Sequence, residues 1–295
     1  MHVFVTGATG FIGSAVVKEL IAAGHPVTGL ARSDAGARAL QALGAQILRG
    51  DLEDLESLRC GADASDAVIH TAFQHDWSRF AESCAWDQRA IEAIGAVLEG
   101  SNRPFIVSSG VGVAEGRAAT EDDPPFPATA AFPRVSEPTA MALAARGINA
   151  SVMRLPQVHD TVKQGLVTYL VQIARSKGVS AYVGAGQNRW PAAHISDVAH
   201  LYRLALEKGS AGARYHAVAE EGVPAKAIAE ALGHGLELPV VSISPEQAQE
   251  HFGFLGFFAA RDGHVSSAQT RARMGWNPSG PSLLTDLADM RGVQN

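Results

Sequence analysis

Cysteine is nearly absent from this chain, with two residues, Cys60 and Cys84, in 295. Two cysteines cannot build a disulfide framework, and neither stands in a Cys-x-x-Cys pair or near a histidine at metal-ligand spacing. Charge is sparse as well. Asp, Glu, Lys and Arg make up 18% of the residues, and 24 Lys and Arg against 30 Asp and Glu leave a formal charge of −6. With no basic cluster to displace counterions from phosphates, nucleic acid is excluded as a partner. No run approaches the roughly 20 consecutive apolar residues that cross a bilayer. Residues 1–10 also lack the basic stretch followed by an apolar one that directs export. A reducing, cytoplasmic setting away from membranes is expected. The 11 histidines are scattered, without a His-Glu-x-x-His, paired-cysteine or clustered-carboxylate spacing, so no metal centre is expected. A serine hydrolase is excluded too, because Ser108-Ser109-Gly110 lacks the flanks of a Gly-x-Ser-x-Gly elbow.

What the chain does have is apolar mass, 46% of its residues, and 30 glycines, enough for a large core with many tight turns. Short apolar runs at residues 2–6, 26–31, 45–49, 67–70, 104–108 and 150–155 show little alternation, as strands buried on both faces do. Between them, residues 11–23, 34–43, 52–59, 77–99 and 137–146 have helix-forming composition, and Gly44 and Gly147 stand where helix C-caps belong. Strand and helix in turn predict an α/β fold, a Rossmann doubly wound parallel sheet of six strands over residues 1–156. Residues 157–295 are less regular. Helices are expected at 162–176, near 196 and at 225–232, and strands at 213–219 and 240–243. No linker or charge run separates this stretch, so it reads as a smaller α/β substrate-binding region packed on the carboxyl edge of the sheet.

The first turn is the most informative segment. Thr6-Gly7-Ala8-Thr9-Gly10-Phe11-Ile12-Gly13 follows a strand and opens a helix, the context in which a Gly-x-x-Gly-x-x-Gly spacing cradles a pyrophosphate. Gly7 makes the tight turn, Gly10 lets backbone approach the phosphates and Gly13 lets helix pack on strand, while the helix N-terminus offers free N–H groups. Thr9, Phe11 and Ile12 share that loop. At the end of the second strand an acid would hydrogen-bond the ribose of NAD. Here Ala31 stands in its place, followed by Arg32 and Ser33, a guanidinium and a hydroxyl suited to a 2′-phosphate. NADP(H) is therefore favoured over NAD(H). By topology Asp51 and Leu52 fall near the adenine, Ala72 and Phe73 near the middle of the cofactor, and Pro156 near its nicotinamide end. Asp51 also reads as a helix N-cap.

These residues, with Gly50-Asp51-Leu52, His70-Thr71-Ala72, Arg154-Leu155-Pro156 and His194-Ile195-Ser196-Asp197-Val198-Ala199, resemble the extended short-chain dehydrogenase/reductase family in its NAD-dependent epimerase/dehydratase branch. The resemblance runs over nearly the whole chain and implies a Rossmann domain with chemistry in the cleft between it and a small substrate region. The family usually employs a Ser or Thr after the fifth strand and a Tyr-x-x-x-Lys on the next helix. Here Gly110 matches the hydroxyl position, with Ser109 adjacent, Pro133 matches the Tyr and Glu137 the Lys. No Tyr-x-x-x-Lys occurs anywhere in the chain.

A carbonyl reduction still needs a proton source and a group beside the developing oxyanion. Arg134, Glu137, His75 and Ser109 are the candidates: Arg134 to polarise a carbonyl, Glu137 to orient it or relay a proton, His75 as acid or base. Arg189 and Trp190 look substrate-facing, or packed in the case of Trp190; His194 looks structural. Residues 252–258, rich in Gly and Phe, read as cleft, subunit contact or core. The expectation is an NADP(H)-dependent oxidoreductase acting on a carbonyl or alcohol of a small molecule. An epimerase or dehydratase holding its nucleotide, and an NADP-binding sensor, are the alternatives. Oligomeric state is left open; the resemblance points to helices 77–99 and 137–146 as the faces of a possible homodimer.

Overall fold

The computed structural model describes residues 1–130 and 132–290; the last five residues of the expected substrate region lie outside it. Twelve strands are described: β1 (Val3–Thr6), β2 (Val27–Ala31), β3 (Gln46–Arg49), β4 (Ala67–His70), β5 (Phe105–Gly110), β6 (Ala150–Leu155), β7 (Gln157–His159), β8 (Ser180–Val183), β9 (Arg189–His194), β10 (Arg214–His216), β11 (Glu220–Pro224) and β12 (Val240–Ile243). Seven of them form one parallel sheet in the order β3-β2-β1-β4-β5-β6-β10. Strand order reverses between β1 and β4, and ligands of such sheets bind in the crevice outside that switch point. This is the expected Rossmann fold with one strand added. The segment around residue 215, expected in the small region, pairs Arg214 with Val152 and closes the main sheet instead. The sheet therefore does not end at residue 156.

Helices α1 (Phe11–Ala22), α2 (Asp34–Ala42), α3 (Leu55–Asp63), α4 (Phe80–Leu98), α5 (Ser136–Ala145), α6 (Val167–Lys177) and α7 (Ile195–Lys208) follow in chain order. One apolar layer, with Val16, Leu20, Leu40, Val198 and Leu201, joins α1, α2 and α7 to one face of the sheet. The other, with Leu58, Ile91, Ile94 and Leu143, joins α3, α4 and α5 to the opposite face. Both faces being covered explains why the strands read as unbroken apolar runs. Helix α3 starts three residues later than expected. Asp51 accepts the N–H groups of Glu53 and Asp54 in a turn, and Asp54, not Asp51, caps the helix by accepting from Ser57 N–H. Residues 77–79 form a single 3₁₀ turn before α4.

The remaining elements, α8 (Ala225–Leu236), α9 (Ala248–Phe252), α10 (Gly256–Ala259), α11 (Ala268–Met274) and α12 (Leu283–Ala288), surround a three-stranded sheet β11-β9-β7 and a pair β12-β8. Trp190 packs in the core there, the packed alternative expected of it, and Arg189 is paired with Asp262. His194 caps α7 by accepting from Ser196 N–H, the structural role expected of it. Among the described residues no helix is long and apolar enough to cross a membrane.

Candidate active site

The turn after β1 is shaped by close backbone approach. Gly7 has a φ of 67°, a conformation that favours glycine, and a Cβ there would stand 2.6 Å from the backbone nitrogen of Ala72. A Cβ on Gly13 would stand 2.1 Å from Gly7 O. Strand β4 fixes the other wall, since Thr71 donates its hydroxyl to Thr6 O at 2.8 Å. Gly10 is the N-cap of α1 and no side chain caps it, which leaves the first-turn N–H groups and the positive end of a 12-residue helix open to an anion. The cradle fits a dinucleotide pyrophosphate. Thr9 and Gly10 are exposed beside it, and Phe11 and Ile12 are half-buried in the first turn.

At the end of β2, Ala31 is buried and Arg32 exposed. Ser33 caps α2, accepting from Gly36 N–H at 3.1 Å, so its hydroxyl proton remains to donate outward. Asp34, the nearest acid, is held by Arg49. Arg32 has no carboxylate partner among the described residues. Leu52 is buried in the core, whereas Asp51 is half-buried with one carboxylate oxygen committed to its turn.

Beneath the carboxyl ends of β1, β4 and β5 runs a polar chain that the sequence reading missed. His70 Nδ1 meets Thr6 Oγ1 at 2.8 Å and its Nε2 meets Asp87 Oδ1 at 3.1 Å. Ser136 donates to the second oxygen of Asp87 and accepts from Arg134 Nε at 2.9 Å. Arg134 also reaches Ser108 O at 3.4 Å, and its guanidinium lies 4.2 Å from the centre of the Phe73 ring. The available signal was Asp87, a lone acid on the buried stripe of α4 that carries Ala90, Ile91 and Ile94. Such an acid must find buried partners. Ser108, buried, bonds Tyr202 Oη at 2.6 Å, and burial pushes the Tyr202 hydroxyl pKa well up. Tyr202 is thus a packed support for β5 and no substitute for the missing proton-exchanging tyrosine.

The four catalytic candidates separate. Arg134 is half-buried and has no carboxylate partner among the described residues. Ser109 is half-buried at the end of β5, and at Gly110 a Cβ would meet nothing within 4 Å. His75 stacks edge-on to Phe73, ring centres 5.0 Å apart. The residue is exposed; partial desolvation of its ring, and next the charge of Arg134, lower its pKa. Glu137 departs from the expectation. Its carboxylate takes a two-pronged bond from Arg154, 2.8 Å from Nε and 2.6 Å from Nη2, and a third from Arg214 Nε at 2.7 Å. The carboxylate, fully buried and fully bonded, neither orients Arg134 nor has a site to relay a proton to.

Aromatic rings cover the outer side of this crevice. Phe73, Trp77 and Phe80 follow β4 and touch one another within 6.0 Å through Phe80. Phe132 packs on Phe80 at 5.4 Å and Phe126 on Phe132 at 5.6 Å. From the second half of the chain, Phe254 stacks on Trp77 at 4.4 Å, and Tyr169 of α6 stands edge-on to both. Phe257 and Phe258 complete the row against Phe126 and Phe132. Residues 252–258 are divided: Phe252 and Leu255 are core, Phe254 and Phe257 exposed. Pro156 is half-buried between β6 and β7.

A parallel Rossmann sheet with a glycine cradle at its switch point defines a dinucleotide-binding protein. Residues 3–219 match the model of the NAD dependent epimerase/dehydratase family, and the chain belongs to that family. It is 48% identical, over 98% of both chains, to an uncharacterized protein of Schizosaccharomyces pombe. It is 27% identical to a 4-hydroxy-2-methyl-3-oxo-4-farnesyl-3,4-dihydroquinoline-1-oxide ketoreductase of Stigmatella aurantiaca, over 73% of this chain and 67% of that one. In fold it is similar to a UDP-glucose 4-epimerase of Thermotoga maritima, with a TM-score of 0.76, 21% identity and coverage of 98% and 97%. The chain is an enzyme of nicotinamide-dependent epimerase, dehydratase or reductase type.

Proposed function

We propose that the protein is an NADP(H)-dependent oxidoreductase that reduces a carbonyl, or oxidises the corresponding alcohol, of a small organic molecule. The observation that carries this reading is Arg134. Its guanidinium is fixed through Nε by Ser136 and laid on Phe73, with no carboxylate to neutralise it among the described residues. A half-buried cation held in this way stabilises the negative charge that grows on a carbonyl oxygen. Gly7, Gly10 and Gly13 would hold the pyrophosphate, with Arg32 and Ser33 at the 2′-phosphate. When bound, the nicotinamide supplies or accepts a hydride. Ser109 hydrogen-bonds the substrate oxygen beside Arg134, and His75 exchanges the proton at that oxygen, directly or through water. Its lowered pKa leaves His75 neutral at pH 7. It therefore serves as base for alcohol oxidation at neutral pH, and reduction slows as the imidazolium is lost with rising pH.

The test is NADPH consumption over a panel of aldehydes and ketones, with the Arg134→Ala variant alongside. Turnover of at least one carbonyl is expected, with kcat/KM in the variant lower by about 10²-fold or more and NADPH affinity within twofold of the parent. No NADPH consumption across the panel overturns the reading, and product formed without net change in nicotinamide absorbance replaces it with an epimerase.

A further inference from the structure

We infer that the substrate carries a flat apolar group, an aryl ring or its equivalent, next to the reacting carbonyl, and that the aromatic row from Phe73 to Phe254 binds it. This deepens the oxidoreductase reading and rests on it for the reacting carbonyl. The row holds nine of the chain's 19 Phe, Trp and Tyr residues, and none of the nine is buried. Of the ten rings outside the row, eight are buried, with Phe4, Phe105, Tyr202 and Tyr215 at 1% exposure or less, and Phe11 and Tyr182 are half-buried. Phe254 and Phe257 are exposed and the other seven half-buried, and a contiguous, partly exposed apolar surface of this kind marks a place where something apolar binds.

Position singles out the substrate as the occupant. Phe73 follows Ala72, whose backbone closes on Gly7, so the inner end of the row starts at the cofactor cradle. From there the rings continue outward to Phe254, which is 40% exposed. They come from segments far apart in sequence, residues 73–80 and 126–132 of the first half and Tyr169 with residues 254–258 of the second, and meet in one continuous set of ring contacts. Most neighbouring rings sit edge-on or tilted at 5–6 Å and Trp77 is stacked with Phe80 and Phe254, geometries in which a further ring can join. The charged groups along the row are chiefly guanidinium groups lying on ring faces: Arg134 on Phe73, and Arg261 on Phe126 and Phe257. A polyhydroxylated substrate would lose its hydration against these rings without gaining hydrogen bonds in return.

The test uses the full chain with NADPH, comparing kcat/KM for 2-naphthaldehyde and benzaldehyde with that for acetaldehyde and glycolaldehyde. The aryl aldehydes are expected to exceed the small ones at least tenfold. In Phe254→Ser and in Phe132→Ser the naphthaldehyde-to-acetaldehyde ratio is expected to fall at least tenfold. A second readout needs no turnover: 2-naphthalenemethanol should quench tryptophan fluorescence, Trp77 being in the row, with an affinity at least tenfold weaker in Phe254→Ser. Carbonyl reduction with no aryl preference, or a ratio that the two variants leave unchanged, overturns the aromatic site and leaves the oxidoreductase reading standing. Saturable naphthalenemethanol binding, weakened by Phe254→Ser, in a protein that reduces no carbonyl sustains the aromatic site and overturns the oxidoreductase reading. Conversion of a dimer to a monomer by Phe254→Ser, with the ratio and the quenching unmoved, assigns the row to a subunit contact and overturns the inference.

Discussion

Arg32 lies exposed one residue beyond β2, and its worth depends on what it has to bond. With Asp34 taken by Arg49, a phosphate on the ribose would meet an uncompensated guanidinium and the free proton of Ser33. A hydrogen bond to a charged group is worth about 1.5–3 kcal/mol, which is a factor of roughly 10–150 in affinity. Arg32→Ala is therefore expected to weaken NADPH by about that factor and NADH by less than twofold, measured by fluorescence titration of both nucleotides. Equal weakening would remove Arg32 from the 2′-phosphate site. The same logic assigns nothing to Gly110: with nothing within 4 Å of a Cβ there, a serine would fit, so its absence is a change of chemistry and no steric necessity.

At the scale of the element, α5 shows how a family position can change occupation. Position 137, which the family resemblance matched to the motif's lysine, is buried, and the first turn of α5 presents Glu137 to Arg154 of β6 and Arg214 of β10. A lysine here would set three like charges together. The carboxylate instead ties one helix to two strands and holds the sheet's last strand in place. Removing one partner of a buried ion pair costs roughly 3–5 kcal/mol, because the other charge stays buried without compensation. Glu137→Gln is expected to lower Tm by about 5–8 °C in a thermal melt, while NADPH affinity of the folded variant at 20 °C stays within twofold. A loss of turnover with Tm unchanged would restore a catalytic role. The residues also explain what could be read in advance. The glycine spacing and the alternation of apolar strands with helices are local, and they located β1 to β6 and the cradle. Local signals could not place β10, whose three residues gain a partner only through β6, or the links from Asp87 to His70 and Ser136, which join residues 17 and 49 positions apart.

At the scale of the whole molecule, a buried polar cluster joins the two halves of the chain, and its protonation bears on global stability. His216 of β10 donates from Nδ1 to Ser266 O at 2.7 Å, while its Nε2 faces Arg154 Nη1 at 3.1 Å. The second contact requires a lone pair on Nε2, because Arg154 can only donate. Burial is the largest cause, and the Arg154 charge a further one, that lowers the His216 pKa, against the opposing pull of the Ser266 bond and of Glu121 and Glu137. A histidine with a lowered folded pKa takes up its proton on unfolding. Its contribution is complete above the unfolded value of about 6.5 and is lost as pH falls below it, at up to about 1.4 kcal/mol per pH unit. Carboxylates held low by their partners, such as Asp123 beside Arg117, matter only at more acid pH, so the window from pH 6.5 to 5.5 belongs to the histidines. Calorimetric melts across that window are expected to show Tm falling with pH in the parent chain. The fall should be shallower in His216→Gln, whose amide can accept from Arg154 and donate to Ser266 without titrating. An identical slope in the two proteins would show that His216 charges freely in the folded state, and that the contact between the halves does not depend on its lone pair.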